Sequence, residues 1–504
     1  MNQGSESLPT PFWVKLAALL AGCGAAWVAW VPLGGVPHVT DEIAYTLQSR
    51  LFAAGMRVGA AADNASMWVY PFWNSDGPMY SPFPFGWPAL LAVGERLGVA
   101  TWVNPFLCAL APIIFFRIGR AVRDVPTGVL AAVIGAFSPG LWVLGGSRMA
   151  HTSVLIALGM LLVTVLEQSR TRRSWVVGAL CAAYVVMARP FDALLLAAPL
   201  LVWGCTHAHR ARALLWWVGL PAVATILVFI DNHSLTGDWL RFPMSQWYDQ
   251  WQDRTGCNRL GFGVDVGCAQ TLGSWGHTPS KALSLAWETA MRFDRLLLGV
   301  PGGGLLAVIC AVWKRAGRGW IWVALVVFGY ALYWSPGRAY GARFWHPLYL
   351  VAPVALAMGL VSLRRLWVVL GVLVGSIFGI SQVSVELADD YWCTNAGLSQ
   401  ELNNQGIDSG VVFIQSKGRR NTSWPQLGVD RFVCDPMLAS GNGWLLAHPE
   451  NPAGGLQVRH ALPDLEQTRA FMSTYHPGQP AWLVVQDLET HDREVRAIDL
   501  SLLR

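Results

Sequence analysis

Long apolar blocks alternate along this chain with shorter stretches that gather its charges. Blocks near 12–31, 101–116, 126–146, 151–166, 174–188, 191–206, 213–231, 296–313, 319–335, 346–362 and 366–383 carry no ionisable residue in their middle. About 20 apolar residues in a helix cross a hydrocarbon core about 30 Å thick. The pattern therefore predicts a polytopic α-helical membrane protein with about eleven transmembrane helices. The first block has only Lys15 before it and no small-residue cleavage pattern after it, so it reads as a retained anchor rather than a signal peptide.

Three pieces fall outside the blocks. Loop 32–100 crowds Met67, Trp68, Tyr70, Phe72, Trp73, Tyr80, Phe83, Phe85 and Trp87 among prolines, a composition suited to the membrane surface. Within it, Asp41 to Ala54 reads as a helix with Thr40 as N-cap and Trp87 to Leu97 as a second, both amphipathic and interfacial. Loop 232–295 is the second piece. The third, 386–504, regains charge. There Gly410 to Gln415 and Ala481 to Asp487 read as buried strands and Asp464 to Tyr475 as a helix, which predicts a small α/β domain.

Charge fixes the expected orientation. Arg117, Arg120 and Arg123, then Arg170, Arg172 and Arg173, then Arg210 and Arg212, then Lys314, Arg315 and Arg318, then Arg364 and Arg365 all fall in alternate loops. Short basic loops stay cytoplasmic. An odd number of spans then puts the N-terminus inside, and the three large pieces outside the plasma (inner) membrane. Only 13% of the residues are charged, against roughly 25% in soluble domains, so a water-soluble fold is disfavoured. The net charge of +5 implies contact with anionic lipid rather than nucleic acid. Cys257 with Cys268 and Cys393 with Cys434 lie outside the blocks, where an oxidising compartment would allow two disulfides; four free thiols are the alternative.

With empty span centres, the working groups are expected at the outer rim, which weighs against an ion-coupled transporter. Asp41-Glu42 follows the first span and could supply a general base, or simply complement the dipole of the helix it starts. Arg148, Arg189, Arg338 and Arg343 oppose the charge bias by lying outside. Arginine forks match phosphate oxygens, although Arg189 could merely pair with Asp192. His38, His151 and His277 also face outward; they could hold a divalent metal, but no metal-binding spacing joins them, and no other cofactor is implied.

These residues resemble the GT-C superfamily of membrane glycosyltransferases, in particular the bacterial branch related to protein O-mannosyltransferases and lipid A aminoarabinose transferase. The matching features are Asp41-Glu42 after the first span and Asp76 to Ala89, DGPMYSPFPFGWPA, which is similar to a family pattern in the first loop. Arg148 to Thr152, Arg189-Pro190, Asn232 to Gly237, Leu260 to Gly263 and Gly341 to Pro347 also match, so the likeness spans roughly 12–383. The lysine that relatives often carry before the Pro-Gly turn is replaced by the run Ser81-Pro82-Phe83. The resemblance implies a hexosyl- or pentosyltransferase that takes a sugar from a polyprenyl-phosphate donor to a protein, lipid or glycan acceptor in the cell envelope, with inversion. It implies Asp41 as base, Glu42 in support, and Arg343, Arg338 and Arg189 around the donor phosphate, with Arg148, His151 and Tyr80 as further candidates. A transporter or lipid flippase, or a non-catalytic envelope assembly protein, remains as the alternative expectation.

Overall fold

The computed structural model describes residues 10–61, 78–167, 172–206, 211–251, 257, 259–268, 276–314, 317, 319–363, 366–427, 429–434, 456–461 and 465–499. The aromatic cluster 67–73, the Asp76-Gly77 pair and the basic positions 170, 210, 315, 318, 364 and 365 lie outside them.

Among the described residues, four helices are long and apolar enough to cross a membrane: Phe12–Trp30, Ala100–Val122, Leu214–Thr236 and Leu370–Cys393. Three further crossings exist if each bent pair counts as one, and four shorter apolar helices accompany them: His151–Leu166, Arg173–Ala188, Pro190–Cys205 and Gly319–Ala331. The chain is thus a helical membrane protein. Between helices in lipid there is little hydrophobic driving force, so close packing by small residues takes over. The first helix shows this on one face, where Ala17, Ala21, Ala25 and Ala29 are buried while Trp13, Leu19, Trp27 and Trp30 on other faces are exposed.

Several expected spans differ in detail. The block 296–313 is not one helix: Pro279–Leu298 and Gly303–Trp313 meet at 88°. Gly299 ends the first in the left-handed conformation, φ +75°, and the Asp294 carboxylate accepts hydrogen bonds from the amides of Gly302 (2.5 Å) and Leu305 (2.9 Å) to start the second. The block 126–146 bends by 58° at Pro139, and 346–362 begins in a 3-10 turn, Arg343–Leu350, before Ala352–Leu363.

The first-loop helix runs Thr40–Ala53, so Thr40 is its first residue and Val39 its N-cap. It is not an interfacial helix with a wet face, because Asp41 through Ser49 and Leu51 are all buried. The second, Gly86–Arg96, is half-buried. The connections expected outside meet at one end of the helices: Arg57 pairs with Asp231 at 2.7 Å, the Tyr80 hydroxyl donates to the Leu235 carbonyl at 3.1 Å, and Arg295 donates to the Pro425 carbonyl at 2.9 Å. Two of the expected inner loops pair with one another instead, Arg117 with Glu167 at 2.5 Å, and Arg123 reaches the Met358 carbonyl within the block 346–362 at 2.6 Å.

Beyond the last membrane helix, strands Leu456–His460, Gly410–Lys417, Ala481–Asp487 and Arg493–Ala497 form one sheet in that order, the last antiparallel. Its central strand is buried on both faces, with Val412 and Ile414 against Leu398 and Leu402 of helix Gly397–Asn404, and Val411 and Phe413 against Phe471 and Met472 of helix Leu465–Tyr475. A separate hairpin, Arg420–Trp424 with Val429–Cys434, places Trp424, Leu427 and Val429 in the core of the helical part. Both expected disulfides are formed, Cys257–Cys268 and Cys393–Cys434.

The Gly299 turn packs directly on the last membrane helix, where an added Cβ would lie 2.6 Å from the Gly375 carbonyl oxygen and 2.9 Å from the Gly379 Cα. Gly299→Val is expected to destabilise the detergent-solubilised protein by roughly 2 kcal/mol or more, from the left-handed backbone and the overpacking together. Gly219→Ala, which meets nothing within 4 Å, is the control. Equal thermal unfolding midpoints for the two variants would contradict this packing account.

Candidate active site

Helix Thr40–Ala53 is held at its start by Glu42. Its Oε2 accepts from the amides of His38 and Val39, each at 3.0 Å, and from the Tyr340 hydroxyl at 2.7 Å. Its Oε1 accepts from the Arg148 amide at 2.5 Å. Only 1% of Glu42 is exposed, and this set of donors satisfies both oxygens of a carboxylate taken out of water. Glu42 is thereby occupied in joining three distant segments. Burial and then Glu42 itself push the Tyr340 hydroxyl well above its usual pKa, so it stays a donor.

Asp41, the neighbour of Glu42, is placed differently. Its Oδ2 accepts from Arg343 Nη1 at 2.8 Å, and its Oδ1 receives a long hydrogen bond from the Thr40 hydroxyl, 3.4 Å. Both side chains of this ion pair are 12% exposed. Arg343 lies over the Phe344 ring, 5.1 Å from its centroid, and its buried Nε has no hydrogen-bond partner among the described residues. The guanidinium therefore has donor capacity beyond its bond to Asp41.

Arg189 also lies over Phe344, at 5.7 Å. Its three nitrogens meet Asp192 Oδ2 (2.5 Å), His151 Nε2 (2.6 Å) and the Tyr330 hydroxyl (2.8 Å), and Tyr330 in turn donates to Asp192 at 2.5 Å. The local pair with Asp192 is thus present, and His151 is part of the same cluster. Arg148 directs its guanidinium to the Gly35 carbonyl (3.1 Å) and the Thr101 hydroxyl (2.7 Å), bracing the first loop; burial lowers its pKa. Arg338 is half-exposed and pairs with Glu288 at 3.3 Å, so no contact joins it to Asp41. Tyr80 is engaged with Leu235, as above. His38 sits between the carbonyls of Tyr391 (2.9 Å) and Leu33 (3.0 Å), and His277 faces the Ala331 carbonyl at 2.9 Å. Among the described residues no three His, Cys, Asp or Glu side chains converge to hold a metal ion.

Sequence reasoning missed Tyr45, Tyr248, Tyr340 and Phe344. Tyr45 and Tyr248 are buried close enough to Asp41 and Arg343 to feel both charges; burial first, and Asp41 among the lesser causes, raises both hydroxyls above their usual pKa. Tyr45 lies one helical turn after Asp41, a spacing that could have pointed to it; nothing local marks the others. Beside Phe344 lies a small open pocket lined by both apolar and polar side chains, among them Leu285, Val327, Thr289, Tyr330, Tyr333 and Ser335.

No protein-family model matches the chain, and no curated protein matches it either. Solved structures of glycosyltransferases are similar to it. ArnT from Cupriavidus metallidurans in the apo state matches at 14% identity and a TM-score of 0.46, over 97% of this chain and 98% of that one. The same protein bound to undecaprenyl phosphate matches at 15% and 0.44, with the same coverage. The oligosaccharyltransferase of Archaeoglobus fulgidus, in complex with Zn and sulfate, matches at 13% and 0.44 over 75% of this chain; the chain spans about half, 53%, of its length. At these TM-scores and identities the likeness fixes neither the activity nor any residue's role.

Proposed function

We propose that the protein transfers a sugar from a polyprenyl-phosphate carrier to an acceptor at the outer face of the membrane, with Asp41 as base. The observation that carries this reading is the largely buried Asp41–Arg343 pair, with an Arg343 Nε beside it that is unpartnered among the described residues. A transferase of this kind has to receive one proton and offset one phosphate charge. The acceptor hydroxyl oxygen attacks the anomeric carbon while the bond from that carbon to the phosphate oxygen breaks. The hydroxyl proton passes to Asp41, and the polyprenyl phosphate departs with its charge met by Arg343. One in-line displacement inverts the anomeric centre.

With Nη1 on Asp41, the other N–H groups of the planar Arg343 fork are left to meet a phosphate oxygen, so base and leaving-group site share one positive charge. Tyr45 and Tyr248 remain protonated near Asp41 and can donate to sugar or acceptor oxygens. Arg189, fully partnered, adds positive potential behind Phe344 rather than a direct phosphate contact. Eleven crossings follow if the four long helices, the three bent pairs and the four shorter helices all span, with the N-terminus inside and residues 386–504 outside.

The test is transfer of radiolabelled sugar from a panel of polyprenyl-phosphate sugars, in membranes bearing the protein. Asp41→Asn is expected to lower transfer about 100- to 10,000-fold, the usual worth of a positioned base, with membrane insertion unchanged. Full activity in that variant would remove Asp41 from the chemistry. Arg343→Gln is expected to cost about 100-fold or more, and Arg343→Lys to recover only part of it, because an ammonium restores charge without the planar fork. Equal rates for the Gln and Lys variants would argue against a phosphate-facing cation there.

A further inference from the structure

The loop that delivers Arg343 depends on a residue at the C-terminal end of the last membrane helix. Tyr340, three positions before Arg343, has φ +56°, a left-handed conformation that costs a side-chain-bearing residue energy and needs outside support. Its amide donates to the Tyr391 hydroxyl at 2.6 Å, and its ring packs on the Tyr391 ring with centroids 5.0 Å apart. Its own hydroxyl reaches Glu42. Tyr391 is fully buried, and its carbonyl faces the His38 ring, so it touches both segments that converge on Asp41 and Arg343.

Tyr391 is itself held from the C-terminal side. Asp390, Trp392 and Cys393 around it all have positive φ. Cys393 is bonded to Cys434 at the end of the hairpin, whose Trp424 packs edge-on against Tyr391 at 4.9 Å. The hairpin tip is fixed to the helical part by Glu386, which accepts from the amides of Gln426 (2.8 Å) and Leu427 (3.1 Å).

We propose that Tyr391 is a positioning residue for the transfer reaction, its hydroxyl holding Tyr340 so that Tyr340 engages Glu42 and Arg343 engages Asp41. The hairpin and its disulfide hold Tyr391, so the C-terminal region is a structural part of the catalytic centre. This rests on the transferase reading for its effect on rate, but not for its effect on the loop.

Tyr391→Phe keeps the ring and deletes the hydroxyl. In that variant kcat is expected to fall about 10- to 100-fold, as for other groups that orient a site without touching substrate, with KM for the donor changed less than about twofold. Tyr340→Phe is expected to give a similar loss, and the double variant no more than the larger single loss, because both act through one chain of contacts. A double variant that multiplies the two losses, or a Tyr391→Phe protein with full kcat, would overturn the proposal. Hydrogen exchange of the peptide covering 336–345 gives a readout free of the activity. Its protection is expected to drop in Tyr391→Phe while that of 151–166 does not. Unchanged protection at 336–345 would refute the coupling even if no donor supports transfer; lost protection without transfer in the wild type would sustain it and count against the transferase reading alone.

Discussion

The Glu42 carboxylate is the constraint on which the rest of this site depends. A carboxylate buried to this degree must find donors, and it finds them in the amides of His38, Val39 and Arg148 and in the Tyr340 hydroxyl. Those donors come from the turn after the first membrane helix, the link before helix His151–Leu166, and the loop before the 3-10 turn Arg343–Leu350. Satisfying one side chain therefore sets the mutual placement of three loops that lie far apart in sequence. Asp41 is adjacent in sequence but turned toward Arg343, so the rigid member of the acidic pair supports the accessible one.

The helical part makes this convergence possible through its breaks as much as its spans. Straight helices would deliver their ends in a plane, whereas the bends at Ser138-Pro139 and at Gly299 let short helices pack at steep angles and leave polar turns near the rim. Each break has a local cause: a proline at the first helical position in one, and a left-handed glycine with a carboxylate cap in the other. The alanine face of the first helix and the Gly299–Gly379 contact keep the backbones close where lipid offers no apolar driving force.

The C-terminal region divides its own packing. The four-stranded sheet builds two small cores with its helices, while the hairpin contributes Trp424, Leu427 and Val429 to the core of the helical part. A cross-link at Cys393–Cys434 and the buried Tyr391 join the two. The charged cluster of Arg420, Asp390 and His491, with the His491–Asp390 contact at 2.9 Å, lies at the same junction.

Hydrophobic block length by itself determined where the apolar helices lie, because the hydrocarbon core and the helical rise set that length whatever the neighbours are. After residue 386, strands Gly410–Lys417 and Ala481–Asp487 and helix Leu465–Tyr475 were legible from apolar runs and a period of 3.6, whereas the shorter strands Leu456–His460 and Arg493–Ala497, the hairpin and helix Gly397–Asn404 carried too little apolar signal to be read. Asp41 and Arg343 could be singled out as an acid at a rim and an arginine against the charge bias. That they bond to each other, while Arg338 goes to Glu288 and Arg189 to Asp192, His151 and Tyr330, was decided by tertiary structure. The same holds for the burial of helix Thr40–Ala53, whose sequence would suit a membrane surface, and for the 88° bend that divides the block 296–313. Tyr340 and Tyr391 carry no local signal at all, since a tyrosine's role as donor or acceptor depends on which buried group stands opposite its hydroxyl, and only the folded chain supplies that group.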